Sequence, residues 1–212
     1  MTEPAIFIQP KHRNAELAAM DLDLDGLIDV VRQAHEEGGF VSRNDVKGWR
    51  LIAAHNKLVR GLRDRFCGKA WERDDSENQE GIRNPSLGIR IIAANFDDLA
   101  GDPDESVTPS NLRPKGQASS RKARCNQTGW LPGLDLPEPT HQQWQTWVLG
   151  MSSDNDGYGA ELSLPLEFTG NKFSKLVKRI VICSRPKSGP VEPKREPVTP
   201  LEEIDIPVLR KG

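Results

Sequence analysis

Cysteine, tyrosine and long apolar runs are what this chain is short of. Its 212 residues hold one tyrosine and three cysteines, Cys67, Cys125 and Cys183. An odd, sparse set argues against a disulfide framework and for a reducing compartment, so a cytoplasmic setting is expected. No stretch approaches the roughly 18 apolar residues of a membrane span, which removes a membrane from the expected partners. The first ten residues, Met-Thr-Glu-Pro-Ala-Ile-Phe-Ile-Gln-Pro, lack the basic start and long apolar core of a secretory signal. Hydrophobic residues make up only 36%, below the usual level for a globular chain. Sixteen unevenly placed prolines leave part of the chain with little to bury.

A net charge of -2 excludes a uniformly basic protein, but the charges come in blocks. Residues 1–42 carry three Lys/Arg against eight Asp/Glu, and 43–73 carry nine against three. Residues 92–108 are purely acidic; 109–124 are purely basic, with Arg113, Lys115, Arg121, Lys122 and Arg124. Residues 125–170 have acids only and 171–187 bases only. Blocks of this kind either neutralise each other in space or create local patches several kT deep.

Periodicity places the elements. Leu22, Leu27, Val30, Val31 and Ala34 form a helical stripe over about 22–37, stopped by Gly38 and Gly39. Ser42-Arg-Asn-Asp45 has the form of a capping box, so a second helix is expected over 43–66. Its apolar face would be Trp49, Ile52, Val59, Leu62 and Phe66, weakened by about 1 kcal/mol each at Gly48 and Gly61. Two helices joined by so short a link pack antiparallel. Ala5–Ile8 reads as an edge strand. Further strands are expected at 87–94, 144–151, 160–168 and 177–184, where the period falls to two. Pro165 lacks an N–H and therefore implies an edge or a bulge. The fold class is α+β: an N-terminal antiparallel helix pair on an antiparallel β-meander, in one domain over 1–184.

Two segments fall outside this pattern. Residues 96–141 read as a long irregular loop with six prolines. Residues 185–212 read as a disordered, proline-rich tail. The tail ends in an apolar-acidic stretch whose Ile204, Ile206, Val208 and Leu209 suit docking on a partner or on a strand edge.

Motifs for catalysis and metals fail on detail. Asp21-Leu-Asp-Leu-Asp-Gly26 imitates an EF-hand start, but position 12 is Arg32 instead of a bidentate Glu. The cysteines and histidines show no zinc spacing, and no phosphate-binding glycine motif occurs. Neither metal nor cofactor is expected. The leading expectation is a non-enzymatic protein that acts through protein–protein contacts, as a subunit or modulator of a larger complex. Blocked charges, five tryptophans and the apolar tail segment suit an interface. The alternative is a nucleic-acid binder using Arg43, Asn44, Lys47, Arg50 and Lys57 on the basic helix, with Arg121, Lys122 and Arg124 from the following loop. The third is a metal-dependent hydrolase or nuclease with acids around 97–104 and 154–161.

Overall fold

The computed structural model describes residues 4–130 and 144–186, with side chains up to Gln127 in the first stretch. Helix and strand contents are mixed, as α+β requires. Strands β1 (Ala5–Phe7), β2 (Glu72–Asp74), β3 (Gly81–Asn84), β4 (Ile89–Asn95), β5 (Gln145–Asp154), β6 (Gly157–Thr169) and β7 (Lys172–Cys183) form one sheet. Its order is β1-β7-β6-β5-β4-β3-β2.

The meander expected from the last three strands is there. β5 pairs antiparallel with β6, and β6 with β7. Pro165 sits at a register shift between β6 and β7, so the missing N–H is accommodated by a bulge inside the sheet rather than at its edge. The sheet is not wholly antiparallel, however. β1 runs parallel to β7, and β4 parallel to β5. A parallel pair needs a crossover of a dozen or more residues. The chain between Asn95 and Gln145 supplies it; most of this span, 96–141, is expected as irregular loop, yet it contains helix α4 (Gln117–Trp130).

Period-two alternation divides the sheet into two buried faces. Ile91, Ala93, Trp147, Leu149, Leu162 and Ile180 pack with Leu27, Val30, Val31, Leu58 and Leu62 of α2 (Leu24–Gly39) and α3 (Trp49–Phe66). Ile92, Ala94, Phe96, Val148, Phe173 and Leu176 form a smaller core on the other face, where α4 packs on β5 and β6. Each face is thus covered, and the helix pair has no monopoly on the sheet. A helix unforeseen in the sequence, α1 (Pro10–Ala18), starts on Pro10; a proline at the first position loses only an N–H that was orphaned anyway.

Helix α3 starts later than expected. Of the expected capping box only one half forms: Ser42 N donates to Asp45 Oδ2 at 2.7 Å, while Ser42 Oγ accepts from Asn44 N at 3.1 Å and Asp45 N donates to the Ser42 carbonyl at 3.2 Å. They close a turn, and the helix begins at Trp49 after Gly48, whose φ of 84° is left-handed. Gly61 lies where α2 crosses α3: a Cβ there would stand 3.1 Å from Val30 Cγ1, so the glycine permits close helix approach. At the EF-hand lookalike, Asp23 caps α2 by accepting from Gly26 N at 2.6 Å, the role a helix N-terminus gives an Asp.

Candidate interface around the start of helix α3

The buried residues of α3 are Ala54, Leu58, Val59 and Leu62. Trp49 and Ile52, expected in the core, are instead 41% and 48% exposed. Phe40 (82%) and Val46 (67%) precede them in the α2–α3 link. Seven large apolar side chains are exposed among the described residues, and four of them fall within 40–52. Scattered apolar exposure is ordinary, whereas a cluster marks a surface that another molecule covers.

The start of α3 is tied to the sheet and to the crossover. Arg50 donates to Asn155 Oδ1 at 2.7 Å, in the β5–β6 turn. Asn95 Nδ2, at the end of β4, donates to Leu51 O at 3.0 Å. Arg113 reaches the same place from the crossover: a Cβ on Gly48 would stand 2.5 Å from its Nη2, so the guanidinium rests on the glycine. Buried Asn111 fixes that approach, donating to the carbonyls of Arg113 (2.7 Å) and Asn171 (3.0 Å) and accepting from Phe173 N at 3.0 Å.

A polar cleft adjoins the apolar cluster, one turn further along α3 at His55. β3 pairs with β4 only as far as Gly81 opposite Ile92, and Phe96 next bridges Asn111. In the interval two hollows of about 200 and 190 Å³ share His55 and Lys115 in their walls. Asn78, Gln79 and Glu80 line the first; Asn95 and Arg113 line the second. Burial lowers the His55 pKa, the Lys115 charge lowers it further, and Glu80 opposes both. Burial likewise lowers Lys115, again opposed by Glu80. Gln79 Nε2 donates to Ser119 Oγ at 2.5 Å, while its buried Oε1 has no partner among the described residues. Glu77 and Asn78, at the rim, have φ of 59° and 56°, a region that costs a non-glycine residue on the order of 1 kcal/mol.

No family model, curated protein or solved structure matches this chain.

The basic residues singled out in the sequence separate. Arg43, Asn44 and Lys47 are exposed, but on the turn before α3 and not along its face. Arg50 and Lys57 are on the helix and half-buried. The second group belongs to α4, which covers the opposite face of the sheet. There Arg121 is paired with Glu77 through Nε and Oε1 at 2.6 Å. Lys122 is 1% exposed, its ammonium donating to Ser76 O at 3.1 Å, so it offers no charge to an external phosphate. Arg124 is exposed beside Gln127 and Glu167. The expected single basic footprint is not assembled. Ile204, Ile206, Val208 and Leu209 lie outside the described residues.

The acids of the hydrolase reading do approach each other. Asp98, Asp102, Asp154 and Asp156 line a hollow of about 520 Å³ with Arg185. Several are engaged in turns: Asp102 Oδ1 accepts from Asp104 N at 2.9 Å, and Asp154 Oδ1 from Asp156 N at 2.9 Å. Asp154 is also paired with Arg185, which holds its pKa below the ordinary value. Among the described residues no three His, Cys, Asp or Glu are grouped to hold a metal ion. Glu161 is wholly buried against Arg179.

The cleft leaves no local signal in the sequence. His55 and Lys115 are 60 residues apart and on different elements, and only the gap beside β4 brings them together.

Proposed function

We propose that the protein is a non-enzymatic docking protein, and that the exposed Phe40, Val46, Trp49 and Ile52 receive an acidic, apolar segment of a protein partner. The observation that carries this reading is the exposure of those four side chains within thirteen residues of the α2–α3 link and helix start. Aromatic and aliphatic anchors of this kind supply most of the energy of an interface. Arg43, Lys47 and Arg113 around them are exposed cations, which favour an acidic partner and speed its encounter. Lys115 and His55 in the adjoining cleft suit a carboxylate.

The test is affinity recovery from nuclease-treated lysate of the source cell, comparing the natural chain with Trp49→Ala/Ile52→Asp. Proteins recovered by the natural chain and lost by the variant, at an unchanged melting temperature, support the reading. Recovery abolished by nuclease transfers the protein to the nucleic-acid class; recovery indifferent to the substitutions removes this surface.

A further inference from the structure

The described chain stops beside this surface. Arg185 is paired with Asp154, and a Cβ on Gly157 would stand 3.2 Å from Pro186 Cδ. Residues 154–157 therefore hold the last described residues. The same turn holds the start of α3, through the bond from Arg50 to Asn155 Oδ1 at 2.7 Å. Between Pro186 and Leu201 lie the fourteen residues 187–200, which extended span at most about 50 Å. That reach covers the whole neighbourhood of α3.

The segment beyond those fourteen residues matches the surface in both charge and apolarity. Leu201-Glu-Glu-Ile-Asp-Ile-Pro-Val-Leu209 carries three acids and no base, with five apolar side chains before, between and after them. The turn and helix start carry Arg43, Lys47 and Arg50 among Phe40, Val46, Trp49 and Ile52.

We propose that segment 201–209 docks in cis on Phe40, Val46, Trp49 and Ile52, with Glu202, Glu203 and Asp205 facing Arg43, Lys47 and Arg50. The segment occupies the surface as an internal competitor that an external acidic partner must displace. This rests on the reading of that surface as a docking site. Tethering makes the competition effective, because a short linker holds the segment at a local concentration of roughly millimolar order. A weak intrinsic affinity is then enough to keep the surface covered.

The experiment uses the full chain and a carbodiimide, which joins a lysine to a carboxylate only when the two are in direct contact. Mass spectrometry of the monomer band should show Lys47 joined to Glu202, Glu203 or Asp205. The product should fall several-fold in Ile204→Ser/Ile206→Ser, which removes apolar anchors and leaves the set of reacting groups unchanged. The same double variant should recover several-fold more partner. Cross-links confined to the dimer band would assign the contact to a second copy and overturn the cis arrangement. Absence of the Lys47 product, or its persistence at full yield in the double variant, overturns the proposal outright. The cross-link needs no external partner. It can therefore fail while Trp49→Ala/Ile52→Asp still abolishes recovery, and the reverse outcome is equally readable.

Discussion

Arg179 and Glu161 face each other across β7 and β6 with no solvent exposure on either side chain. Arg179 Nε and Nη2 donate to the two carboxylate oxygens at 3.1 and 2.7 Å. The three remaining guanidinium N–H groups reach the carbonyls of Asp102, Asp104 and Val107 at 2.8, 3.2 and 3.1 Å. Glu161 also accepts from Gly101 N at 3.0 Å and from the Ser163 hydroxyl. All five arginine donors are thus satisfied, and the pair ties the acidic stretch 101–107 to the sheet. One acid of the 125–170 block and one base of the 171–187 block neutralise each other here, deep inside.

Removing either charge strands the other. Glu161→Gln or Arg179→Met should destabilise the fold by about 3–5 kcal/mol, the range for breaking a buried pair. The double variant should not recover fully, since the carbonyls of Asp102, Asp104 and Val107 lose their donors as well. Urea unfolding of the three variants measures both points.

Asn126 performs a similar task for α4. Its Nδ2 donates to Thr146 O (2.9 Å) and Pro165 O (2.6 Å), and its Oδ1 accepts from Thr146 N at 2.7 Å. Asn126→Ala should cost about 1–3 kcal/mol, as expected for buried groups left unpaired. Asn126→Asp should cost more, because two donors become acceptors facing carbonyls. Equal losses in the two variants would mean that packing, not hydrogen bonding, holds α4.

Those bonds also explain why α4 was hidden. Its buried face is Ser119, Lys122, Ala123 and Asn126, at helical spacing but without a large apolar side chain, so the hydrophobic period that betrays a helix is absent. β5, β6 and β7 were legible because their alternating residues face two cores. The partners of β4 and β1 were not, since parallel pairing depends on a distant crossover rather than on a local turn. At α3 the stripe itself was visible, but periodicity cannot tell an apolar face that packs from one left for a partner. Trp49 and Ile52 belong to the second kind.

Lys122 should leave a mark on stability against pH. Burial lowers its pKa to about 8, from an ordinary 10.5, with the charge of Arg90 adding to the effect. Between those values the unfolded chain holds a proton that the folded chain has released, so stability rises with pH through this window. The full increment is roughly 3 kcal/mol at 1.36 kcal/mol per unit. Burial pushes Cys183 up to about 11 from 9, and above pH 9 its unfolded thiolate works in the opposite direction. The rise should therefore be cleanest between pH 8 and 9, and Lys122→Met should flatten it. Melting temperatures across that unit of pH decide the matter.

His55 acts at the acid end. Its lowered pKa means that the unfolded chain takes up a proton near 6.5 before the folded chain does. Stability present above 6.5 is therefore lost as pH falls through that value. His55→Gln should remove this part of the slope between pH 7.5 and 5.5. Lys115→Met should reduce it, by relieving the charge that helps hold His55 neutral. An unchanged slope in both variants would take His55 out of contact with Lys115.

The exposed cluster at α3 should separate binding from folding. Trp49 is partly open to solvent and Ile52 about half so, and neither is among the buried residues of the helix. Truncating either to alanine should shift stability by no more than about 0.5 kcal/mol, as for surface positions in general. An interface anchor behaves differently: its truncation typically costs about 2 kcal/mol or more of binding energy, some thirtyfold in affinity. Lys47→Glu should weaken the same complex mainly through a slower association that high salt masks, because an exposed rim charge steers encounter more than it holds the bound state. Titration calorimetry and stopped-flow mixing with a partner recovered by the natural chain distinguish these effects. If Trp49→Ala instead lowers the melting temperature by many degrees and leaves affinity unchanged, Trp49 is a packing residue, and the surface around it has another use.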